Sequence, residues 1–121
     1  MIAQHRILGA KVVIKSLPAS DYEKRAQLFS ISEVDAQRKC QSSDNVLGIT
    51  DHFVIGKTHY IVTKYEAGSD LCEYMKARGL DRLIEAHAQY IFYQMALGLK
   101  DIHIQGIVHR DIKHKNIFLS N

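Results

Sequence analysis

The sequence predicts an α+β fold, on three observations. The first half carries short β-branched runs, Val12-Val13-Ile14 among them, punctuated by Gly and Pro. Two further strand candidates, residues 46–55 and 58–64, are joined through Gly56 and Lys57 as a tight hairpin. The second half holds one long stretch, residues 85–104, whose apolar residues recur at helical spacing.

Taken in order, the elements read as follows. Val12, Val13 and Ile14 follow Gly9, a strand entered through a turn, with residues 5–8 as the other arm of the hairpin and Pro18 as punctuation. Leu28, Phe29, Ile31, Val34, Ala36 and Cys40 recur at helical rather than alternating spacing among many charges. They predict one helix from Asp21 or slightly later to about Gln41, ended by Ser42, Ser43, Asp44 and Asn45. After the hairpin, residues 66–69 make a connector, and Ser69 or Asp70 can cap a short helix over 71–76. Gly79 punctuates again. The long helix places Ala88, Ile91, Phe92, Met95, Leu99 and Ile102 on one face, with Gly106 just past its end. Short β-branched pieces, Ile107 with Val108 and residues 117–119, flank the segment between them.

Tyr90, Tyr93, Ala96 and Leu97 add apolar surface to the other sides of that helix. A helix apolar nearly all round belongs in the middle of a domain. The segment after Ile104 is too short to supply helices that would cover it, and each large side chain left in water forfeits roughly 1.5–3 kcal/mol. The 121 residues are therefore expected to be part of a larger fold.

Composition narrows the class. With 46% hydrophobic and 24% charged residues, one Pro and seven Gly, the chain is neither disordered nor collagen-like. Its 16 Lys and Arg give a net charge of +3 but form no run, which argues against a nucleic-acid partner, since that affinity needs a concentrated phosphate footprint. Cys40 and Cys72 lie far apart with no Cys-x-x-Cys pair, and read as reduced thiols of an intracellular, cytoplasmic protein. The first residues lack the apolar core of a signal peptide, and no stretch approaches a membrane span, so no membrane partner is expected.

The chemistry is concentrated in residues 107–117, IVHRDIKHKNI. Asp111 could orient and deprotonate an acceptor hydroxyl; in isolation it would read as a turn residue. Lys113 could set its ammonium on a transferring phosphate and offset the charge of Asp111, and otherwise would be a solvated loop lysine. Asn116 offers a neutral oxygen to magnesium, its ordinary alternative being a turn or cap. A carboxylate, a cation and a metal-ligating amide in one short loop suit phosphoryl transfer, which depends on positioning and charge neutralisation more than on covalent help.

His109-Arg110-Asp111 with Asn116 five positions on resembles the protein-kinase catalytic loop, and Val12-Val13-Ile14-Lys15 is similar to that family's Val-Ala-Ile-Lys. Lys113 within the loop resembles the Ser/Thr type. Over essentially its whole length the chain thus looks like part of a eukaryotic-type protein kinase domain. The resemblance implies a two-lobe fold with a small-lobe antiparallel sheet and one helix (1–64), a hinge (65–69), and the start of the large lobe through the catalytic loop (70–121).

It further implies ATP and Mg2+ as cofactors and a protein substrate bearing a Ser or Thr hydroxyl. Lys15 becomes the ligand of the α- and β-phosphates; Lys11 is its rival but sits close to the Gly9 turn. Glu33 becomes the partner of that lysine, with Asp35 as runner-up, because Ala36 and Cys40 then complete one buried face with Glu33. Thr63 would guard the back of the adenine pocket, Tyr65, Glu66 and Ala67 would offer backbone groups to adenine, and Asp70 would bind ribose. Each of these alone reads equally well as a strand or cap residue. Asp111 and Lys113 become catalytic and Asn116 a metal ligand.

Several positions depart from the family pattern. Val13 replaces a small Ala against the adenine, which tightens the pocket, and Lys64 replaces a common acidic residue beside a hinge read through its backbone. His114-Lys115 stands where Pro-Glu is usual, which argues against a preference for Arg just before the phosphoacceptor. Arg110 before Asp111 implies control by a phosphorylated activation loop.

No Gly-rich phosphate loop precedes Gly9, and no Asp-Phe-Gly follows Asn116. The reading expected first is a Ser/Thr kinase domain shortened by an expression boundary, a gene-prediction error or gene decay, with little activity in the 121 residues alone. The second is a non-catalytic kinase-like module that binds a partner through the long helix. The third is an unrelated small α+β binding domain.

Overall fold

A computed structural model of the chain describes residues 1–4, 9–29 and 31–120. The elements in order are β1 (Ile2–Gln4), β2 (Lys11–Pro18), α1 (Ala19–Phe29), α2 (Glu33–Lys39), β3 (Ile49–Ile55), β4 (Thr58–Lys64), β5 (Ser69–Asp70), α3 (Leu71–Ala77), α4 (Glu85–Ile104), a 3-10 turn (His114–Asn116) and β6 (Phe118–Leu119). They divide into two compact units, Met1–Tyr65 and Glu66–Asn121.

The first unit is built on an antiparallel sheet of order β1-β2-β4-β3. The described hairpin partner of β2 is β1, with Ile2 opposite Val13; the arm expected over 5–8 lies outside the described residues. Gly56, at φ 60°, makes the tight turn between β3 and β4 that the Gly-Lys pair predicts. Strand β3 starts at Ile49, not at residue 46. The preceding residues turn instead, because the Ser43 hydroxyl accepts the Asn45 N–H at 3.3 Å and holds the chain out of the ladder.

Antiparallel register sorts the side chains. Lys15 opposes Ile61, Val13 opposes Thr63 and Leu17 opposes His59, so these six share one face. In β3 the register shifts between Ile49 and Asp51, leaving Thr50 as an extra residue. That bulge puts Ile49 and His52, three positions apart, on the same face as Lys15. The core forms there: Leu17, Val34, Ile49 and Ile61 pack together with Tyr22 against them, and Ile61 and Val34 are almost wholly buried.

Two helices, α1 and α2, stand where helical spacing predicts one. Ser32 is the reason: it takes an extended conformation and its side chain accepts the Asp35 N–H at 3.0 Å, so α2 begins afresh. Helix α1 starts directly after Pro18, its Ala19 N–H donating to the Lys57 carbonyl at 2.9 Å.

In the second unit, β5 and β6 pair antiparallel, Asp70 opposite Phe118. The β-branched piece at 117–119 predicts β6, whereas the two residues of β5 carry no pattern that would announce it. Gly68 lies against this ribbon so closely that a Cβ there would fall onto the Leu119 carbonyl. Helix α4 spans the predicted 85–104, and Gly106 at φ 70° ends it, with the Gly106 N–H donating to His103 O at 2.9 Å. Its buried side centres on Gly98 and Ile102, while Phe92, expected among the inward residues, is 70% exposed with Tyr90 and Tyr93. Phe92 lies at the rim of the stripe, one residue past Ile91, where helical rotation carries it outward. Ile107 and Val108 form no strand. No helix among the described residues is long and apolar enough to cross a membrane.

Candidate functional site

The charged residues singled out by the sequence form two groups, one in each unit. In the first, Lys15 of β2 meets Glu33 of α2, with Nζ 2.5 Å from Oε1. The placement follows from local structure. Alternation in β2 turns Lys15 to the helix-covered face, and the Ser32 cap makes Glu33 the first helical residue. Asp35, the competing carboxylate, is occupied elsewhere: its Oδ2 accepts the Ser32 hydroxyl at 2.6 Å. Lys11, the competing lysine, lies over the Tyr65 ring, 5.6 Å from its centroid.

Arg25 of α1 places Nη1 3.9 Å from Glu33 Oε2, so the carboxylate faces a cation at each oxygen. Spacing could not have indicated Arg25, because the chain breaks between α1 and α2 and no single helical period links the two residues. Thr63, half-buried in β4, is the cross-strand neighbour of Val13 and shares the Lys15 face.

In the second unit, Asp111, Lys113 and Asn116 converge. Lys113 Nζ lies 2.9 Å from Asp111 Oδ1. The Asn116 amide nitrogen donates to Asp111 Oδ2 at 2.9 Å and to the Asp111 backbone carbonyl at 2.8 Å. The 3-10 turn over His114–Asn116 brings Asn116 back, closed by its own N–H on the Lys113 carbonyl at 2.8 Å. The donors from Lys113 and then Asn116 favour the charged carboxylate and hold Asp111 below its ordinary value of 3.8.

Two backbone features escape a reading of residue types. Arg110 has φ 63°, in the left-handed region where a side chain is disfavoured. Beside it, the Asp111 N–H donates to His109 Nδ1 at 3.3 Å. The loop is thus wound tightly around Asp111 from both sides in sequence.

The connector residues are placed less tightly. Tyr65 and Glu66 are half-buried and Ala67 is exposed. Asp70 caps α3, its Oδ1 accepting the Glu73 N–H at 2.9 Å, while its backbone belongs to the β5–β6 ribbon.

Because the Asn116 nitrogen is committed to Asp111, its amide oxygen is left to face other partners. An amide oxygen is a donor that a hard dication such as magnesium takes, so Asn116 fits that metal with this one oxygen, while both carboxylate oxygens of Asp111 are engaged by Lys113 and Asn116.

Residues 2–121 match the family described as protein kinase domain. The chain is 37% identical over 126 residues to mitogen-activated protein kinase 12 of Danio rerio, an alignment covering 98% of this chain and 33% of that protein. It is 33% identical over 119 residues to serine/threonine-protein kinase ATG1c of Arabidopsis thaliana, covering 98% and 16%. With serine/threonine-protein kinase pakB of Dictyostelium discoideum it shares 27% over 111 residues, covering 92% and 13%. The chain spans a third or less of the length of these relatives.

Proposed function

This chain belongs to the protein kinase domain family, and on that premise we propose that it supplies the upstream half of a site transferring a phosphoryl group from ATP to a protein Ser or Thr hydroxyl. The observation that carries the reading is the Asp111 carboxylate held between Lys113 and Asn116. The Ser/Thr relatives support the acceptor type.

In this reading Asp111, charged and turned by its two donors, accepts the hydroxyl proton as the oxygen attacks. Lys113 neutralises charge that spreads onto the phosphoryl oxygens. Asn116 orients Asp111 with its nitrogen and offers its oxygen to the metal. Lys15 binds the α- and β-phosphates, and Glu33 holds the ammonium in place. The backbone of Tyr65, Glu66 and Ala67 receives adenine, with Thr63 and Val13 at its back and Asp70 toward the ribose. Magnesium supplies charge neutralisation on the phosphates when bound.

The 121 residues contain no Asp-Phe-Gly, so the isolated polypeptide is proposed to have little activity of its own. The protein is proposed to act inside the cell, where its two cysteines would stay reduced. The test is transfer of labelled γ-phosphate to a generic Ser/Thr protein substrate by a longer protein made to carry this chain within a whole kinase domain. Asp111→Asn is expected to lower the rate by about 10²–10⁴-fold, the usual worth of a positioned acid-base group. Undiminished transfer by that variant would refute the assignment of Asp111.

A second reading, a non-catalytic module that engages a partner, is favoured by the exposed rings of Tyr90, Phe92 and Tyr93 on α4. The two separate in one measurement: that module would show no magnesium-dependent turnover in the longer protein.

A further inference from the structure

Three rings on three elements of the first unit form a cluster that phosphoryl transfer does not use. Tyr22 of α1 lies face to face with His59 of β4, with 3.9 Å between centroids and 14° between planes. It also faces His52 of β3 at 5.7 Å and 12°. The two imidazoles have centroids 5.2 Å apart and planes inclined by 21°. His52 Nε2 and His59 Nδ1 are 3.0 Å apart. That centroid spacing is close to two ring radii added to the N···N contact, so the imidazoles meet edge to edge beneath Tyr22.

An N···N hydrogen bond of this kind has room for one proton. In the neutral pair one nitrogen donates and the other accepts. A first added proton can go to a nitrogen facing away from the bond, and the imidazolium then lies under the tyrosine face, a favourable cation–π arrangement. A second added proton sets N–H against N–H and places two positive charges side by side. The surrounding charges act in both directions. Burial foremost, then His59 of β4 and Arg38 of α2, hold His52 below its ordinary 6.5, while Asp51 of β3 and Asp35 of α2 oppose them.

The cluster joins α1 to the sheet. Tyr22 of α1 packs against Leu17, Val34, Ile49 and Ile61. Arg25, one helical turn further on, is the α1 residue facing Glu33. We propose that Tyr22, His59 and His52 form a proton-operated latch that holds α1 on the sheet near neutral pH and releases it, drawing Arg25 away from Glu33, once both imidazoles are charged. The latch rests on the geometry of the first unit alone and does not depend on the phosphoryl-transfer reading.

Two measurements on the full chain, between about pH 8 and 5, test it: nitrogen NMR of the imidazoles and hydrogen exchange of the α1 amides. The pair is expected to take up one proton with α1 protection unchanged. Protection, corrected for intrinsic exchange, is then expected to fall by roughly tenfold per pH unit as the second proton binds, the linkage of one proton to opening. In His52→Gln combined with His59→Asn, the amides occupy the facing positions without taking a proton, and α1 is expected to stay protected throughout. The proposal is overturned if α1 protection is constant through the second titration, or if the double variant loses protection as the wild type does. Should the double variant fail to fold, the wild-type titration decides: two imidazoles titrating independently near the ordinary value would overturn it, and two separated steps would support it.

Discussion

Asn116 grips Asp111 at two points, donating from one amide nitrogen to the backbone carbonyl at 2.8 Å and to the carboxylate at 2.9 Å. The carboxylate cannot rotate without losing one of these bonds, and Lys113 holds its other oxygen at 2.9 Å. An exposed loop aspartate is thereby given a defined direction, which a turn residue surrounded only by water would lack.

The grip sets a pH dependence. Because donors hold the folded carboxyl below its ordinary value, the charged network is complete above that value and is lost as the pH falls through the lowered one. Asn116→Ala is expected to move this loss to higher pH, and Lys113→Met to move it further, since Lys113 is the larger cause. The carboxyl carbon shift of Asp111 in an acid titration reads both; an unmoved midpoint would count against the network.

Ser32 is expected to matter out of proportion to its size, because it caps α2 directly ahead of Glu33. Ser32→Ala should cost about 1 kcal/mol in urea unfolding, and Ser32→Asp should recover most of it. Fraying of the first turn also frees Glu33, so the alanine variant should show weaker coupling between Lys15 and Glu33 in a double-mutant cycle.

The Lys15–Glu33 pair is exposed by 44% and 32%, so its direct share of stability is small. Glu33→Gln is expected to change unfolding free energy by about 1 kcal/mol or less. If Lys15 binds phosphates, the same change should lower phosphoryl transfer by the longer protein about 10²-fold, the scale of a slightly misplaced group. Equal modest effects on both would contradict a positioning role.

Two glycines provide a matched comparison. A Cβ at Gly68 would collide with the Leu119 carbonyl, whereas one at Gly48 would meet nothing within 4 Å. Gly68→Ala is expected to force β5 and β6 apart at a cost of about 1–3 kcal/mol, with Gly48→Ala near neutral. Thermal unfolding of the two variants distinguishes them, and similar midpoints would show that the ribbon does not need the close approach.

Much of this was legible in local pattern. Helix α4 is long and periodic, and strand β4 is bounded by turn residues on both sides, so their limits follow from the chain itself. Of the ribbon, β6 was legible as the short β-branched piece at 117–119, but β5 and the pairing of the two were not, since a two-residue strand carries no period. The split between α1 and α2 was signalled by Ser32 but masked by apolar residues that continue a helical rhythm across it.

The candidate site shows the same division. Asp111, Lys113 and Asn116 lie within one short loop, so covalent connection keeps them near each other, and their residue types suggested the chemistry before any fold was known. Lys15 and Glu33 stand 18 positions apart; the helical face shared with Ala36 and Cys40 favoured Glu33 over Asp35, and packing of α2 on the sheet brought it to Lys15. The faces of β3 are the clearest case. Strict alternation would set Ile49, Asp51, Phe53 and Ile55 on one side, but the bulge at Thr50 brings His52 to the side of Ile49, His59 and Tyr22. Sequence by itself determined the family motif and the limits of β4, α3 and α4, because those depend on neighbours along the chain. Tertiary structure alone decided which side chains meet across it, because strand register has a period of two and one extra residue reverses every face beyond it.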